Sequence, residues 1–319
     1  MNGLEKIKVE DLLVFDIETV SAEEDLDIDS REFELFQYKS RDYNTGDVPP
    51  NEEVLKLYKK TAGLSAVYGK IVCISVGFVK GDVFYTKALV GEEHEIIDNF
   101  YKIINAKDYK LLSYNGIRFD WPFIRLRRGI SGASLLPNAR YSDVNAKPWE
   151  LLDVHVDLMD YLRGAAYKNI SLDEACYLFG VESPKSGEVT GSKVTEAFYA
   201  GKIKEIAVYC NEDIKALIKL FYAMAGKEQL KEFVDKTEYP VHPLKKIIDS
   251  NSFTEDIKKQ LQTIISKKKL TKKDKENLYT ILRGAWVRTD FVNYDNDSKQ
   301  VVEQKELEIK KFIENLGCN

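Results

Sequence analysis

The chain has 319 residues, 44% hydrophobic and 31% charged, and a net charge of −5. Those values describe a globular protein with a real core, sized for one large domain or one domain plus an appendage. They exclude a membrane span, since the longest apolar stretch, Ile71 to Val79, is too short, and they do not suit attachment to nucleic acid by bulk charge alone.

The charge is uneven. Residues 1–226 carry 28 Lys and Arg against 36 Asp and Glu, whereas the remainder carries 19 against 16. An acidic body with a basic tail suits an enzyme whose acidic centre takes a metal and whose substrate contact is local. Cys73, Cys176, Cys210 and Cys318 form no C-x-x-C pair, and His94, His155 and His242 show no metal-ligand spacing. The pattern argues against structural zinc and for a reducing compartment.

The first residues, MNGLEKIKVED, are mixed in charge and lead straight into a strand, so no signal peptide is expected and a cytoplasmic location follows. Residues 10–20 read as that strand. An insertion, 21–66, is acidic at its start and helical from Glu52 to Thr61. Residues 70–86 read as a hairpin turning at Lys80-Gly81-Asp82, and 91–107 as a helix with Ile96, Ile97, Phe100, Ile103 and Ile104 on one stripe. Leu111 to Tyr114 is a short strand ending in an Asn115-Gly116 turn. A helix follows near Asp120-Trp121-Pro122, with Pro just inside its start. Asp153 to Met159 is strand-like, and Ser171–Phe179 and Gly201–Ala225 are helices. These elements predict an α/β fold, one mixed sheet under helical cover, spanning 1–225. Residues 226–319 read as an all-helical appendage, with capping boxes at Ser252-x-x-Glu255 and Thr271-x-x-Asp274. Its last helix runs from Ser298 to Leu316, with Val302, Ile309, Phe312, Ile313 and Leu316 on one stripe.

Three acidic motifs carry the chemistry. Asp16 and Glu18 lie two apart in the apolar run Leu12-Leu13-Val14-Phe15, so both project to one face of the strand. Burying two like charges together is costly without a partner, and a divalent cation is the obvious one. Asp25-Leu-Asp27 and Asp295-Asn-Asp297 have similar spacing but lack the hydrophobic strand. The second motif, Tyr114 to Phe123, contains Asp120, whose alternative role is the helix N-cap. The third, Tyr209-Cys210-Asn211-Glu212-Asp213, puts Tyr209 and Asp213 on one helix face; taken alone, that pair reads first as an intrahelical hydrogen bond on a solvated surface.

Taken together, Asp16, Glu18, Asp120, Tyr209 and Asp213 resemble the DEDD 3′–5′ exonucleases of the ribonuclease-H-like superfamily. Tyr209 points to the DEDDy branch, since the histidine branch would need His where Val208 stands. Phe15-Asp16-Ile17-Glu18-Thr19 and Asn115-Gly116-x-x-Phe119-Asp120-x-Pro122-Phe123 resemble the proofreading exonuclease domains of family B DNA polymerases. Gly69 to Ser75, Lys147-Pro148-Trp149-Glu150, Val156 to Asp160 and Tyr209-Cys210-x-x-Asp213 resemble the stand-alone bacterial and phage relatives of those domains. The resemblance covers residues 10–225 and implies a ribonuclease-H-like fold and a metal-dependent 3′–5′ exonuclease.

It also implies two Mg²⁺ or Mn²⁺ ions roughly 3.5–4 Å apart, one activating water and one stabilising the leaving 3′-oxygen. Asp16 would bridge the ions, Glu18 and Asp213 would bind the nucleophile-side metal, Asp120 would act on the other, and Tyr209 would orient the water. A phenol with an ordinary pKa of about 10 is a poor general base at neutral pH. Thr19, Asn115 and Phe119 are candidates for holding the terminal nucleotide, with purely structural roles open for Thr19 and Phe119. Asp157 reads as a support for the metal ligands or as a helix cap, a capping role it shares with Asp160; Gly191-Ser192-Lys193 reads as a phosphate contact or an ordinary loop. Single-stranded DNA is the expected substrate. The same fold admits RNA, or a nuclease-inactive module that binds nucleic acid or a replisome. The lysine run from Lys258 to Lys275 reads as a solvated face or a backbone contact, and the last helix as a surface for the body, a second copy or a polymerase.

Overall fold

Leu12 to Phe15 runs without a break into Asp16-Ile17-Glu18-Thr19-Val20, and this apolar stretch forms strand β1 (Leu12–Ser21) inside a six-stranded sheet. The computed structural model describes residues 3–133, 154–163, 169–183, 190–239, 254–265, 267 and 270–289, with residues 307, 309, 310 and 313. Strand β1 pairs antiparallel with β2 (Gly69–Lys80), which pairs antiparallel with β3 (Val83–Val90). Gly81 turns that hairpin at φ +61°, a conformation glycine adopts without steric cost. On the other side of β1, β4 (Lys110–Ser113) and then β5 (His155–Asp157) add in parallel. The order is β5-β4-β1-β2-β3-β6, where β6 (Glu232–Asp235) lies parallel to β3 at the far edge.

The helices of this unit are α1 (Arg31–Lys39), α2 (Asn51–Thr61), α3 (Glu93–Ala106), α4 (Asp120–Ile130), α5 (Leu158–Arg163), α6 (Leu172–Leu178), α7 (Val194–Tyr199) and α8 (Ile203–Ala225). Alternation along β1 divides the core. Leu13, Phe15 and Ile17 pack with Ile96, Ile97 and Phe100 of α3 and Trp121 and Ile124 of α4. Leu12 and Val14 pack on the other face with Ile214, Leu217 and Phe221 of α8, and Val20 joins Ile206, Ala207 and Cys210 further along the same helix. The chain is therefore α/β, a mixed sheet flanked by helices, as the sequence leads one to expect.

Three elements, α1, α7 (Val194–Tyr199, which buries only Val194 and Ala197) and β6, were not anticipated. Helix α1 starts at Ser30, whose side chain accepts the Phe33 N–H, and buries only Phe33 and Phe36. It joins α2 in a small cluster with Leu26, Val54, Tyr58 and Tyr68, and this is what the insertion folds around. Strand β6 lies where composition suggests a helical tail: Glu-Phe-Val-Asp is short and half exposed, so it carries almost no alternating signal. Residues 226–239 consequently belong with the sheet, and the compact units are Met1–Tyr239 and Pro240–Asn319.

The second unit contains α9 (Glu255–Ile265) and α10 (Lys272–Thr289). The capping box is formed as expected: Asp274 N–H donates to Thr271 Oγ1 at 3.2 Å, and Thr271 N–H to Asp274 Oδ2 at 2.9 Å. Leu261, Ile264, Leu278, Leu282, Ile309 and Ile313 form its apolar cluster. Ser252, Val302, Phe312, Leu316, Lys268, Lys269, Lys147 to Asp153, His242, Asp295, Asp297 and Cys318 lie outside the described residues. No described helix is long and apolar enough to cross a membrane.

Candidate active site

The even positions of β1 face α8. Leu12 and Val14 belong to one apolar cluster and Val20 to the next, and Asp16 and Glu18 occupy the gap between them. Their ladder partners on β2 are Ser75 and Cys73 respectively, and the register shifts by one residue just after Glu18. The spacing of the two carboxylates thus has the effect read from the sequence: both point under the helix that carries the third motif.

Asp120 reaches them from the other side. Pairing between β1 and β4 ends at Val14, which leaves the edge of β1 open beyond that point. The chain leaves β4, turns at Asn115-Gly116 and starts α4, and Asp120 Oδ1 accepts the Ile17 N–H at 3.1 Å, midway between Asp16 and Glu18. Asp120 is the first residue of α4, and no side chain caps that helix. The structure therefore decides against the capping role. Asn115 adopts φ +66°, a left-handed conformation that Asn tolerates. At Gly116 a Cβ would lie 2.3 Å from Ser113 Oγ, so only glycine fits.

Asp157, at the carboxyl end of β5, holds that turn in place. It is fully buried and accepts the N–H groups of Asn115 (2.8 Å), Ile117 (3.1 Å) and Met159 (3.1 Å). Of its two sequence readings the helix cap is formed, through the Met159 N–H, while its other two bonds hold the turn that leads to Asp120. The acids thus collect at the carboxyl ends of the parallel strands, where open α/β sheets place their sites. Asp160 instead pairs with Arg118.

Helix α8 completes the group. Tyr209 and Asp213 are half-buried, and the phenol hydrogen-bonds the Asp213 carboxylate. Between them, Cys210 points its thiol at Asp16, 3.6 Å from both the carbonyl oxygen and Oδ2. Asn211, 1% exposed, accepts from Ser75 Oγ at 2.9 Å and donates to Asp235 Oδ2 at 3.1 Å and Thr237 Oγ1 at 3.0 Å. It ties the helix to β2 and to the end of β6. Sequence reasoning missed Asn211 and Cys210, because a polar or thiol residue inside a catalytic motif looks like filler until its neighbours are known.

Burial and mutual repulsion dominate the electrostatics. Burial raises Asp16 well above the usual carboxylate range, and Asp120 and Asp213 push it further. Burial, then Asp16 and Asp213, do the same to Glu18. Asp120 is raised to about 7 by burial, with its own N–H and that of Ile17 opposing the shift. Tyr209 is raised by burial and by Asp213, Glu18 and Asp16, so its phenol stays protonated at any working pH.

The donor set fits hard divalent cations. The groups that act most on Asp16 and Glu18 are acids and thiols, and among the described residues neither carboxylate forms an ion pair with Lys or Arg. Glu18 is 8% exposed and its carboxylate has no hydrogen-bond partner among them, an arrangement that a bound cation would relieve. Asp16, Glu18 and Cys210 each present a ligand atom within 4.8 Å of the others.

The remaining sequence candidates are placed as follows. The Thr19 hydroxyl donates to Gly63 O at 2.6 Å. Phe119 is half-buried against the α3–α4 side of the core, its ring 5.6 Å from that of Phe123. Asn115 is half-buried in its turn. Gly191 begins a short 3-10 turn, Gly191–Lys193, close enough that a Cβ there would lie 3.9 Å from the Tyr209 hydroxyl.

A family described as "Predicted 3'-5' exonuclease related to the exonuclease domain of PolB" matches residues 63–266. The match includes Asn115, Phe119, Asp120, Tyr209 and Asp213. It begins after Asp16, Glu18 and Thr19, so the first motif rests on its own geometry. Among solved structures, the chain is similar to the family B DNA polymerase from the hyperthermophilic archaeon Pyrobaculum calidifontis, at 18% identity and a TM-score of 0.41. That similarity covers 67% of this chain and 24% of the polymerase, about a quarter of its length. No curated protein matches the chain.

Proposed function

The chain belongs to the family of predicted 3′–5′ exonucleases related to the exonuclease domain of PolB, and on that footing we propose that it hydrolyses single-stranded DNA from its 3′ end with two divalent metal ions. The observation that supports this reading is the pair Asp16 and Glu18 side by side on β1, with Asp120 bonded to the Ile17 N–H between them and Asp213 acting on both. Asp16, Glu18, Asp120 and Asp213 would hold Mg²⁺ or Mn²⁺, both hard ions that favour carboxylate oxygen. Such ions, when bound, lower the pKa of the attacking water and neutralise charge on the leaving 3′-oxygen.

The protein's own groups supply position. Asp120 is fixed by the Ile17 N–H, so its carboxylate stays aligned with β1 through a turnover. Tyr209 remains a neutral phenol held by Asp213, which makes it a hydrogen-bonding guide for the water and not its base. Asn115, Phe119 and the backbone beside Thr19 take the terminal nucleotide in this reading; the Thr19 hydroxyl is already engaged.

The test uses 5′-labelled single-stranded DNA with Mg²⁺ or Mn²⁺, comparing the wild type with Asp16→Ala and Asp213→Ala. A descending ladder that requires the ion and is absent in both variants is the expected result. Binding without cleavage in all three proteins would overturn the nuclease reading, and a ladder on RNA alone would change the substrate.

A further inference from the structure

We infer that this centre also accepts one thiophilic divalent ion, Zn²⁺ or Cd²⁺, held by Asp16, Glu18 and the thiolate of Cys210. The inference rests on the metal-site reading above and goes beyond it, since neither the acidic motifs nor the family match assigns a role to Cys210.

The geometry is specific. Cys210 is fully buried on α8, and its sulfur lies 3.6 Å from Asp16 Oδ2. One carboxylate oxygen each from Asp16 and Glu18 and the Cys210 sulfur lie within 4.8 Å of one another. Bonds of about 2.0–2.3 Å to oxygen and sulfur need only a modest contraction of that triangle. Two observations independent of the thiol point to a ligand here. Glu18 is 8% exposed and without a hydrogen-bond partner among the described residues, and neither it nor Asp16 forms an ion pair with a Lys or Arg among them. A second buried thiol, Cys73, sits opposite Glu18 in the β1–β2 ladder and packs in one cluster with Cys210.

Donor softness then separates two modes of occupancy. Mg²⁺ and Mn²⁺ favour oxygen and gain little from sulfur, whereas Zn²⁺ and Cd²⁺ bind thiolate strongly. On binding, a sulfur–metal bond forms, the S–H bond breaks, and the proton passes to buffer; no electron is transferred. An ion drawn toward Cys210 occupies the carboxylates from their buried side. It therefore competes with the hard ions for Asp16 and Glu18, and the expected consequence is inhibition by Zn²⁺ that excess Mg²⁺ relieves only partly.

The experiment is a Cd²⁺ titration of the full-length protein, followed by the ultraviolet sulfur-to-cadmium charge-transfer absorption, with Mn²⁺ binding measured in parallel by electron paramagnetic resonance. The wild type should develop the band at one equivalent and release its bound Mn²⁺ as it does so. Cys210→Ser should abolish the band and weaken Cd²⁺ at this site by about tenfold or more. Cys176→Ser and Cys318→Ser should leave the band intact. A band that survives Cys210→Ser overturns the inference, as does Cd²⁺ binding with no band at all. Should Cys210→Ser fail to fold by circular dichroism, the ¹¹³Cd chemical shift of the wild type decides, since one sulfur ligand and none are well separated. A wild type that binds Mn²⁺ but shows no cadmium–sulfur signal refutes this inference alone; one that binds neither ion refutes the proposed function as well.

Discussion

Asp120 is bound to the Ile17 N–H and raised to about 7, so it is both fixed in position and close to its titration point at neutral pH. Asp120→Asn keeps the shape and the acceptor oxygen but removes the charge, and activity should fall by about 100-fold or more with Mn²⁺ affinity falling alongside. Tyr209→Phe should behave differently. It deletes a hydrogen bond to a carboxylate worth about 1.5–3 kcal/mol, about ten- to a hundredfold in rate, while Mn²⁺ affinity stays near that of the wild type. A Tyr209→Phe protein that lost metal as fully as Asp120→Asn would contradict the orienting role. The raised carboxylates also set a pH dependence. Between the ordinary Asp value of 3.8 and about 7, the folded metal-free protein holds a proton on Asp120 that the unfolded chain has released. For this group the folded state therefore binds more protons and its contribution to stability falls as pH rises through that window, as do those of the raised Asp16 and Glu18, against an opposing contribution below 6.5 from His155, which burial keeps neutral. Thermal unfolding of the metal-free protein should accordingly show a lower Tm at pH 8 than at pH 5.5, and Mn²⁺ should restore most of the difference at pH 8.

At the scale of elements, the site exists because β1 is longer than its neighbour. β4 stops pairing at Val14, so the Asn115-Gly116 turn and the first residue of α4 fill the open edge. Asp157 holds this junction through three backbone N–H groups. Asp157→Ala leaves those donors without their acceptor, at a cost of about 1–3 kcal/mol for each that stays buried. A Tm lowered by several degrees is expected, together with reduced activity at saturating Mn²⁺, because Asp120 loses its fixed starting point on α4. Unchanged activity in a folded Asp157→Ala protein would show that the turn positions nothing. Much of this junction was legible in the sequence, since Asn-Gly marks the turn and two carboxylates in an apolar strand mark the metal-binding edge. The choice between capping and site for Asp120 was not legible, because it depends on an N–H about a hundred positions earlier in the chain. Asn211 and Cys210 were hidden for the same reason: their partners Ser75, Asp235 and Asp16 lie on three other strands or segments. Helices α1 and α7 and strand β6 were missed because each buries too few residues to print a period.

At the scale of the whole molecule, the acidic sheet unit and the basic tail do not meet at the change in composition. Composition places the boundary at Gly226, where α8 ends in a left-handed glycine at φ +64°. The chain beyond it still pairs with β3 over Glu232–Asp235, and Asp235 and Thr237 receive the Asn211 amide. Thr237 also accepts the Ala88 N–H at 2.9 Å, and Phe233 packs on Phe84 at 6.0 Å. Two truncations therefore separate the alternatives. A chain of residues 1–239 keeps all of these interactions and the apolar clusters of the sheet unit, and should unfold cooperatively with a Tm within a few degrees of the full-length protein. A chain of residues 1–225 exposes the long β3 edge, an invitation to aggregation, and leaves the buried Asn211 amide unsatisfied on the helix that carries Tyr209 and Asp213. It should be markedly less stable, by about 2 kcal/mol or more, and less active per folded molecule. Equal stability of the two truncations would show that β6 contributes nothing to holding α8. The longer truncation also isolates the lysines of the tail. If Lys258, Lys259, Lys267, Lys272, Lys273 and Lys275 bind the nucleic-acid backbone, removing residues 240–319 should flatten the fall of DNA affinity with salt. The logarithmic slope should drop by about 0.7 for each single-strand phosphate that those lysines neutralise. An unchanged slope would assign them to solvent.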